Sequence, residues 1–307
     1  MSQLTSHLLM IRPVSFGFNE QTAESNAFQN RSADEQNIQA KALAEFDAFA
    51  DKLRDNGLDV IVVDDTVEPH TPDSIFPNNW VSFHSDGSVY LYPMQAKNRR
   101  LERRADVIEN LKKKFTVSKV DDLSYFENQN QFLEGTGSMV LDRVNKVAYA
   151  CLSPRTDEQV ITGFCRKSGY QAVLFNAVDE HGKAIYHTNV LMCIGDQFVV
   201  ICLEAIPDVV QRDNLISLFA NTHKEILVIS QQQLNEFAGN MLELQNKAGQ
   251  RLLVMSARAH ASLTAEQIKI LEKHCKIVSA DLDMIESIGG GSARCMLAEV
   301  HLPLRVS

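Results

Sequence analysis

One unit of organisation recurs along these 307 residues: an apolar strand, a tight polar turn, a second apolar strand, a helical segment and a short β-branched run. The strand pairs read NWVSFHSDGSVYLYPM from Asn79, GSMVLDRVNKVAYACL from Gly137, NVLMCIGDQFVVICLE from Asn189 and NMLELQNKAGQRLLVMS from Asn240. Their starts lie 58, 52 and 51 residues apart, and RCMLAEVHLP begins 54 further on at Arg294. Helical segments are expected over 98–114, 154–168, 206–220 and 263–274, followed by FTVSKV, YQAVLF, KEILVIS and CKIVSA. The N-terminal region repeats the order, with an amphipathic stretch over 33–56 and then LDVIVVDD. The unit is β-β-α-β, about five times over.

The last unit has only its first strand, and the N-terminus holds an orphan strand, HLLMIRPVSF. Pairing the two would complete a fifth hairpin and remove two open sheet edges, which invite aggregation. The expected fold is therefore α/β: a single domain over 1–307, with five blades of ββαβ repeats around a pseudo-fivefold axis. A doubly wound parallel sheet fits less well, since it supplies one strand per helix and this chain supplies three. Residues 20–35 read as a polar loop.

Charge and cysteine usage narrow the function. A net charge of -9 lacks the basic footprint of a nucleic-acid or anionic-membrane binder. No apolar run reaches the ~18 residues of a membrane span, and no secretory signal is visible. The densest basic run, NRRLERR at 98–104, reads as a solvated helix face. Six cysteines (Cys151, Cys165, Cys193, Cys202, Cys275, Cys295) show neither paired nor metal-ligand spacing. That pattern suggests reduced thiols in a cytoplasm and no metal site.

In a fivefold ring the hairpin starts converge near the axis. They read FPNNW (76–80), EGTGS (134–138), YHTN (186–189), AGN (238–240) and GGGSARC (289–295). Alone, Cys295 reads as a buried core residue, His187 as a hydrogen-bonded structural histidine and Glu134 as a turn residue. Neither glycine run has the spacing or the lysine of a phosphate-binding loop. Three such residues at equivalent repeat positions, each beside Gly or Asn, are the nucleophile, base and carboxylate of covalent catalysis.

On these motifs, in the order PDSIFPNNW, EGTGS, SPRTD, YHTNV and GGGSARC, the chain resembles the guanidino-group-modifying enzymes of the pentein (amidinotransferase) superfamily. Its nearest likeness is to the bacterial citrulline-utilising hydrolases. The resemblance covers nearly the whole chain and implies the five-bladed ββαβ fold. It makes Cys295 the nucleophile, His187 the general acid/base and Glu134 the carboxylate orienting the reacting group. It implies substrate contacts at Asp73, Phe76, Asn78, Asn79, Arg155 and Asn189. Asp73 would meet the α-amino group, and the Arg155 fork the α-carboxylate. Arg99 or Arg100 assists, the alignment not choosing between them.

The chain departs from the guanidino pattern by carrying Asn78 and Asn79 after Phe76, and Asn189 after His187, where carboxylates are expected. Carboxylates facing a neutral group would be stranded buried charges. An amide offers donor and acceptor to a neutral ureido group, so citrulline is favoured over arginine. The expected product set is ornithine, ammonia and carbon dioxide, through an S-carbamoyl intermediate on Cys295 and without metal or organic cofactor. His187 as imidazolium is the expected thiolate stabiliser, with Arg294 second. The alternatives are a deiminase or dimethylarginine hydrolase, an amidinotransferase, and a non-enzymatic pentein binding protein. The expected partner is a small-molecule ureido or guanidino amino acid; a homo-oligomer is compatible with the sequence.

Overall fold

The computed structural model describes residues 2–30 and 37–305. Its strands in chain order are β1 (His7–Arg12), β2 (Asp59–Asp64), β3 (Val81–Phe83), β4 (Ser88–Leu91), β5 (Lys119–Asp122), β6 (Val140–Asp142), β7 (Val147–Cys151) and β8 (Gln171–Phe175). There follow β9 (Met192–Ile194), β10 (Phe198–Ile201), β11 (Glu225–Val228), β12 (Leu242–Gln245), β13 (Arg251–Ser256), β14 (Lys276–Ala280) and β15 (Ala298–Glu299). They form five three-stranded sheets: β15-β1-β2, β3-β4-β5, β6-β7-β8, β9-β10-β11 and β12-β13-β14. In each, the middle strand pairs antiparallel with the first and parallel with the third. A hairpin can be joined by a short turn, whereas the parallel third strand needs a crossover, which is where the helices go.

Local chemistry sets those helices. Asp157 caps Glu158–Ser168 by accepting from the Gln159 and Val160 N–H groups, and Gly169 ends it at φ 74°. Thr264 and Gln267 form a capping box at Ala265–Glu272. The helix Ile38–Asp55 buries Ala42, Phe46, Phe49, Ala50 and Leu53 along one stripe. That stripe packs into a core with Leu8, Met10, Leu252 and Val254 from the adjoining sheets. The segment expected as one helix over 98–114 is instead a 3₁₀ turn, Asn98–Glu102, and a helix, Ala105–Leu111. The break turns Arg99 and Glu102 inward, where both are buried, so the run is not the solvated face its composition suggests. In the expected polar loop, Glu20–Ala23 is a short helix, while 31–36 lie outside the described residues.

The chain ends meet as the orphan-strand argument expects, with Leu8 opposite Glu299 and Leu9 opposite Ala298. Yet β1 is a middle strand, also paired along its whole length with β2. Ahead of it, the Gln3 amide donates to the Leu141 carbonyl at 3.0 Å and accepts from the Arg143 N–H at 2.7 Å. Deleting residues 1–14 therefore removes two ladders and the buried side chains of Leu8, Leu9, Met10 and Ile11. The expected result is loss of cooperative melting together with turnover, each buried aliphatic side chain counting for ~1.5–3 kcal/mol. A truncated protein with unchanged melting would contradict this pairing.

Candidate active site

Each hairpin is preceded by a single tight turn rather than by strand, and these turns carry the polar residues. They are Pro77–Asn79, Gly135–Ser138, Thr188–Leu191, the turn closed by the Asn240 N–H on Phe237, and the turn at 293–296. Successive turns touch backbone to backbone. At Gly135 (φ 48°) a Cβ would lie 2.3 Å from the Asn78 carbonyl oxygen, so only glycine fits. In the loop before Cys295, a Cβ on Gly291 would lie 2.9 Å from the Phe76 ring. The glycines thus let the cysteine loop close over Phe76.

Cys295 sits in the last of these turns, its N–H donating to the Ser292 carbonyl at 2.9 Å. The Asn240 amide donates to Sγ at 3.2 Å and the Asn189 amide at 3.5 Å. Asn240 is itself held, donating to the Asn189 carbonyl and accepting from the Arg294 N–H. Burial pushes the Cys295 thiol up, against the Ser292 contact and these amide donors. The Arg294 guanidinium bonds Glu299 (2.9 Å) and the Leu297 carbonyl, and its charge also favours the Cys295 thiolate, as expected of it in second place.

His187 and Glu134 form the second half. Nε2 of His187 lies 2.9 Å from a Glu134 oxygen, and the other Glu134 oxygen accepts from the Gln95 N–H at 3.0 Å. Burial would raise Glu134, but Arg155, the His187 hydrogen bond and Arg99 outweigh it and hold the carboxylate well below its usual range. With Glu134 ionised, Nε2 carries the proton and Nδ1 is the nitrogen left to exchange one. Burial lowers His187 to about 4 despite Glu134. The resting pair is therefore neutral imidazole and thiol, and the expected imidazolium stabiliser is replaced by the two asparagine amides. Alkylation of Cys295 in the free enzyme should accordingly keep accelerating as pH rises beyond 8, with no plateau between pH 5 and 7. A neutral-pH plateau, followed on the Cys295 peptide by mass spectrometry, would indicate an ion pair instead.

A tight cleft is lined by Cys295, His187, Asp73, Phe76, Asn79, Arg99, Arg155, Tyr186, Asn26 and the three glycines. Arg99, not Arg100, is the arginine in it: Arg100 bonds the Met94 carbonyl outside. The Arg99 fork grips Glu102 at 2.9 and 3.0 Å, and Nη1 donates to Oδ1 of Asn79 at 2.9 Å. One oxygen of Asp73 accepts from Asn19 at 2.7 Å, while the other has no partner among the described residues. Arg155 lies over the Tyr186 ring, 4.9 Å from its centroid, and donates to Ser25 and the Thr22 carbonyl. Asn78 is wholly buried, does not line the cleft, and neither amide atom is bonded among the described residues. Asn189 reaches the site through Cys295 rather than the lining.

Sequence reasoning missed Asn240, although AGN stands at a repeat position and the period pointed to it. It also missed Glu102, three residues after Arg99, and the segment 19–30. That segment bonds to Asp73 (Asn19), Arg155 (Ser25) and the Gly290 carbonyl (Asn26), covering the cleft.

Fold and site together define a cysteine-dependent hydrolase. The profile of the family described as N,N dimethylarginine dimethylhydrolase, eukaryotic, matches residues 12–302, and the chain belongs to this family, within the pentein guanidino-modifying superfamily. Among solved structures it is similar to apo ArgZ, an arginine dihydrolase from the ornithine–ammonia cycle in cyanobacteria, at 18% identity and TM-score 0.75. That match covers 97% of this chain and 41% of ArgZ, so this chain spans well under half the ArgZ length. The substrate-bound N-terminal domain of ArgZ matches at 18% identity and TM-score 0.76, covering 97% of this chain and 98% of that domain. A dimethylarginine dimethylaminohydrolase adduct with S-methyl-L-thiocitrulline matches at 15% identity and TM-score 0.63, covering 96% and 99%. No curated protein matches the sequence. At these identities the structural likeness is one of fold.

Proposed function

We propose that this chain hydrolyses the terminal C–N bond of a ureido amino acid, with citrulline as substrate, inside one domain whose five sheets surround a pseudo-fivefold axis. The carrying observation is the orientation of Asn79. Arg99 can only donate, so the Asn79 atom it meets at 2.9 Å is the oxygen. The amide nitrogen has no partner among the described residues, and Asn79 lines the cleft beside His187. A ureido group has a carbonyl to accept from that nitrogen; a guanidinium has none. Glu134 supplies no free countercharge either, standing within 3.5 Å of Arg155 and 3.7 Å of Arg99.

Asp73 with its open oxygen takes the α-ammonium, and Arg155 exchanges Ser25 for the α-carboxylate. Cys295 transfers its proton to His187 Nδ1 as Sγ attacks the ureido carbon. His187 returns the proton to the terminal amine, which leaves as ammonia, and an S-carbamoyl group remains on Cys295. Water gives a proton to His187 and adds to that carbon; the thiolate leaves and is reprotonated. The resulting N-carboxy-ornithine loses carbon dioxide to give ornithine. The six free cysteines fit the reduced thiols of a cytoplasmic setting, which belongs to this proposal.

The family match favours a second reading, hydrolysis of arginine or a methylarginine. Ammonia and ornithine release from citrulline, arginine and dimethylarginine, compared side by side, decide between them. Faster turnover of either guanidino compound would overturn the citrulline reading.

A further inference from the structure

The mechanism leaves one buried acid beneath the catalytic loop without a role. Glu286 is fully buried in the π-helical turn Ile285–Gly289, which runs directly into the glycines before Cys295. Such turns insert an extra residue into a helix and recur at functional sites. One Glu286 carboxyl oxygen accepts from the Ser292 hydroxyl at 2.5 Å. The backbone carbonyl of that serine receives the Cys295 N–H. The Glu286 carbonyl accepts from the Gly290 N–H at 2.9 Å. The Gly290 carbonyl in turn accepts from the Tyr186 hydroxyl at 2.6 Å and the Asn26 amide at 3.1 Å. The carboxyl thus holds the Ser292 end of the glycine loop, while the backbone carbonyl of the same residue ties its start.

We propose that Glu286 is the positioning residue of the nucleophile: through the Ser292 hydroxyl it fixes the glycine loop so that Cys295 Sγ meets the Asn240 and Asn189 donors. The reason for an acid here is physical. Three successive glycines have little conformational preference of their own, and a turn placing a sulfur at 3.2 Å from one amide needs an outside anchor. The groups facing the carboxyl are the Ser256 and Ser292 hydroxyls, Arg258 and Asp283. Arg258 is already engaged by Glu236. Burial, partly offset by the two serines, lifts Glu286 to about 7. A carboxyl kept at that cost beside no free cation is there for its hydrogen bond.

This inference does not depend on which substrate is turned over, and its test has an arm that uses none. Full-length wild type, Glu286→Ala, Glu286→Gln and Ser292→Ala are treated with iodoacetamide at pH 8, and labelling of all six cysteine peptides is followed by mass spectrometry. Steady-state kcat and KM are measured on the best substrate from the comparison above. Losing the amide donors raises the thiol pKa, so Cys295 labelling and kcat should fall about tenfold or more in both alanine variants, equivalent to one pKa unit. KM should stay within about threefold, because the head-group residues are untouched. The amide of Glu286→Gln can still accept from Ser292, so that variant should stay close to wild type. Labelling of Cys151, Cys165, Cys193, Cys202 and Cys275 reports general opening and should not rise. Unchanged or faster Cys295 labelling in Ser292→Ala overturns the proposal, as does a Glu286→Gln variant as impaired as Glu286→Ala. Should Glu286→Ala fail to fold, Ser292→Ala and Glu286→Gln decide the matter alone.

Discussion

Cys295→Ser is expected to fold and melt like the wild type and to lose turnover by a factor on the order of 10³ or more. The substitution is nearly isosteric, and the Asn240 and Asn189 amides that face Sγ donate equally well to an oxygen. Stability should therefore be kept, and the loss must come from chemistry. With His187 lowered to about 4, the imidazole is a weak base, able to relieve a thiol during attack but poorly matched to a hydroxyl. Acid-quenched wild type should carry a carbamoyl adduct on the Cys295 peptide. An adduct on another cysteine, or an active serine variant, would remove the covalent mechanism. The other five thiols make poor rivals: burial pushes Cys151, Cys165 and Cys202 up to about 11 and Cys193 and Cys275 to about 12, and none lines the cleft.

The repeat made most of this readable. A period of 51 to 58 residues places Asn79, Gly137, Asn189, Asn240 and Arg294 at equivalent points, and the turns at those points bring Glu134, His187 and Cys295 to one region. The pairing of β1 with β15 also followed from pattern, since the last repeat lacked its second strand and the N-terminal strand lacked a hairpin partner. What stayed hidden depends on contacts between segments distant in sequence. The run NRRLERR looks solvated because charge is normally solvated. Only the folded chain shows Glu102 turned back on Arg99 and Arg99 reaching Asn79, 20 residues earlier. The balance at His187 is hidden for a related reason: sequence shows the carboxylate partner but not the degree of burial, which lowers the imidazole more than Glu134 raises it. Segment 19–30 has no periodicity to read, so its closure over the cleft had no sequence signal.

Replacing Asn79 with Asp should invert the substrate preference, and the geometry makes the expectation specific. The aspartate keeps an oxygen where Oδ1 now receives the Arg99 Nη1 donor at 2.9 Å, so its placement should survive. Its second oxygen replaces the amide nitrogen, which turns a donor facing the reacting group into an acceptor. Citrulline would then present a carbonyl to a carboxylate, leaving a buried acceptor unpaired at a cost of about 1–3 kcal/mol. Arginine would present N–H donors and gain a charge-assisted hydrogen bond. Arg99 offsets part of the new charge but is already shared with Glu102, so the repulsion is reduced without being removed. The catalytic efficiency on citrulline should fall roughly ten- to a hundredfold, while arginine binding or slow hydrolysis appears. Chemistry on arginine need not be fast, because on the proposed citrulline reading the remaining groups are placed for a neutral reacting centre. The quantity to measure is the ratio of kcat/KM for citrulline to that for arginine, wild type against variant. A ratio that stays fixed or moves toward citrulline would show that the amide does not read the polarity of the substrate. The discrimination would then have to lie with Asp73 and Glu134, which stand 3.6 and 3.7 Å from the Arg99 guanidinium.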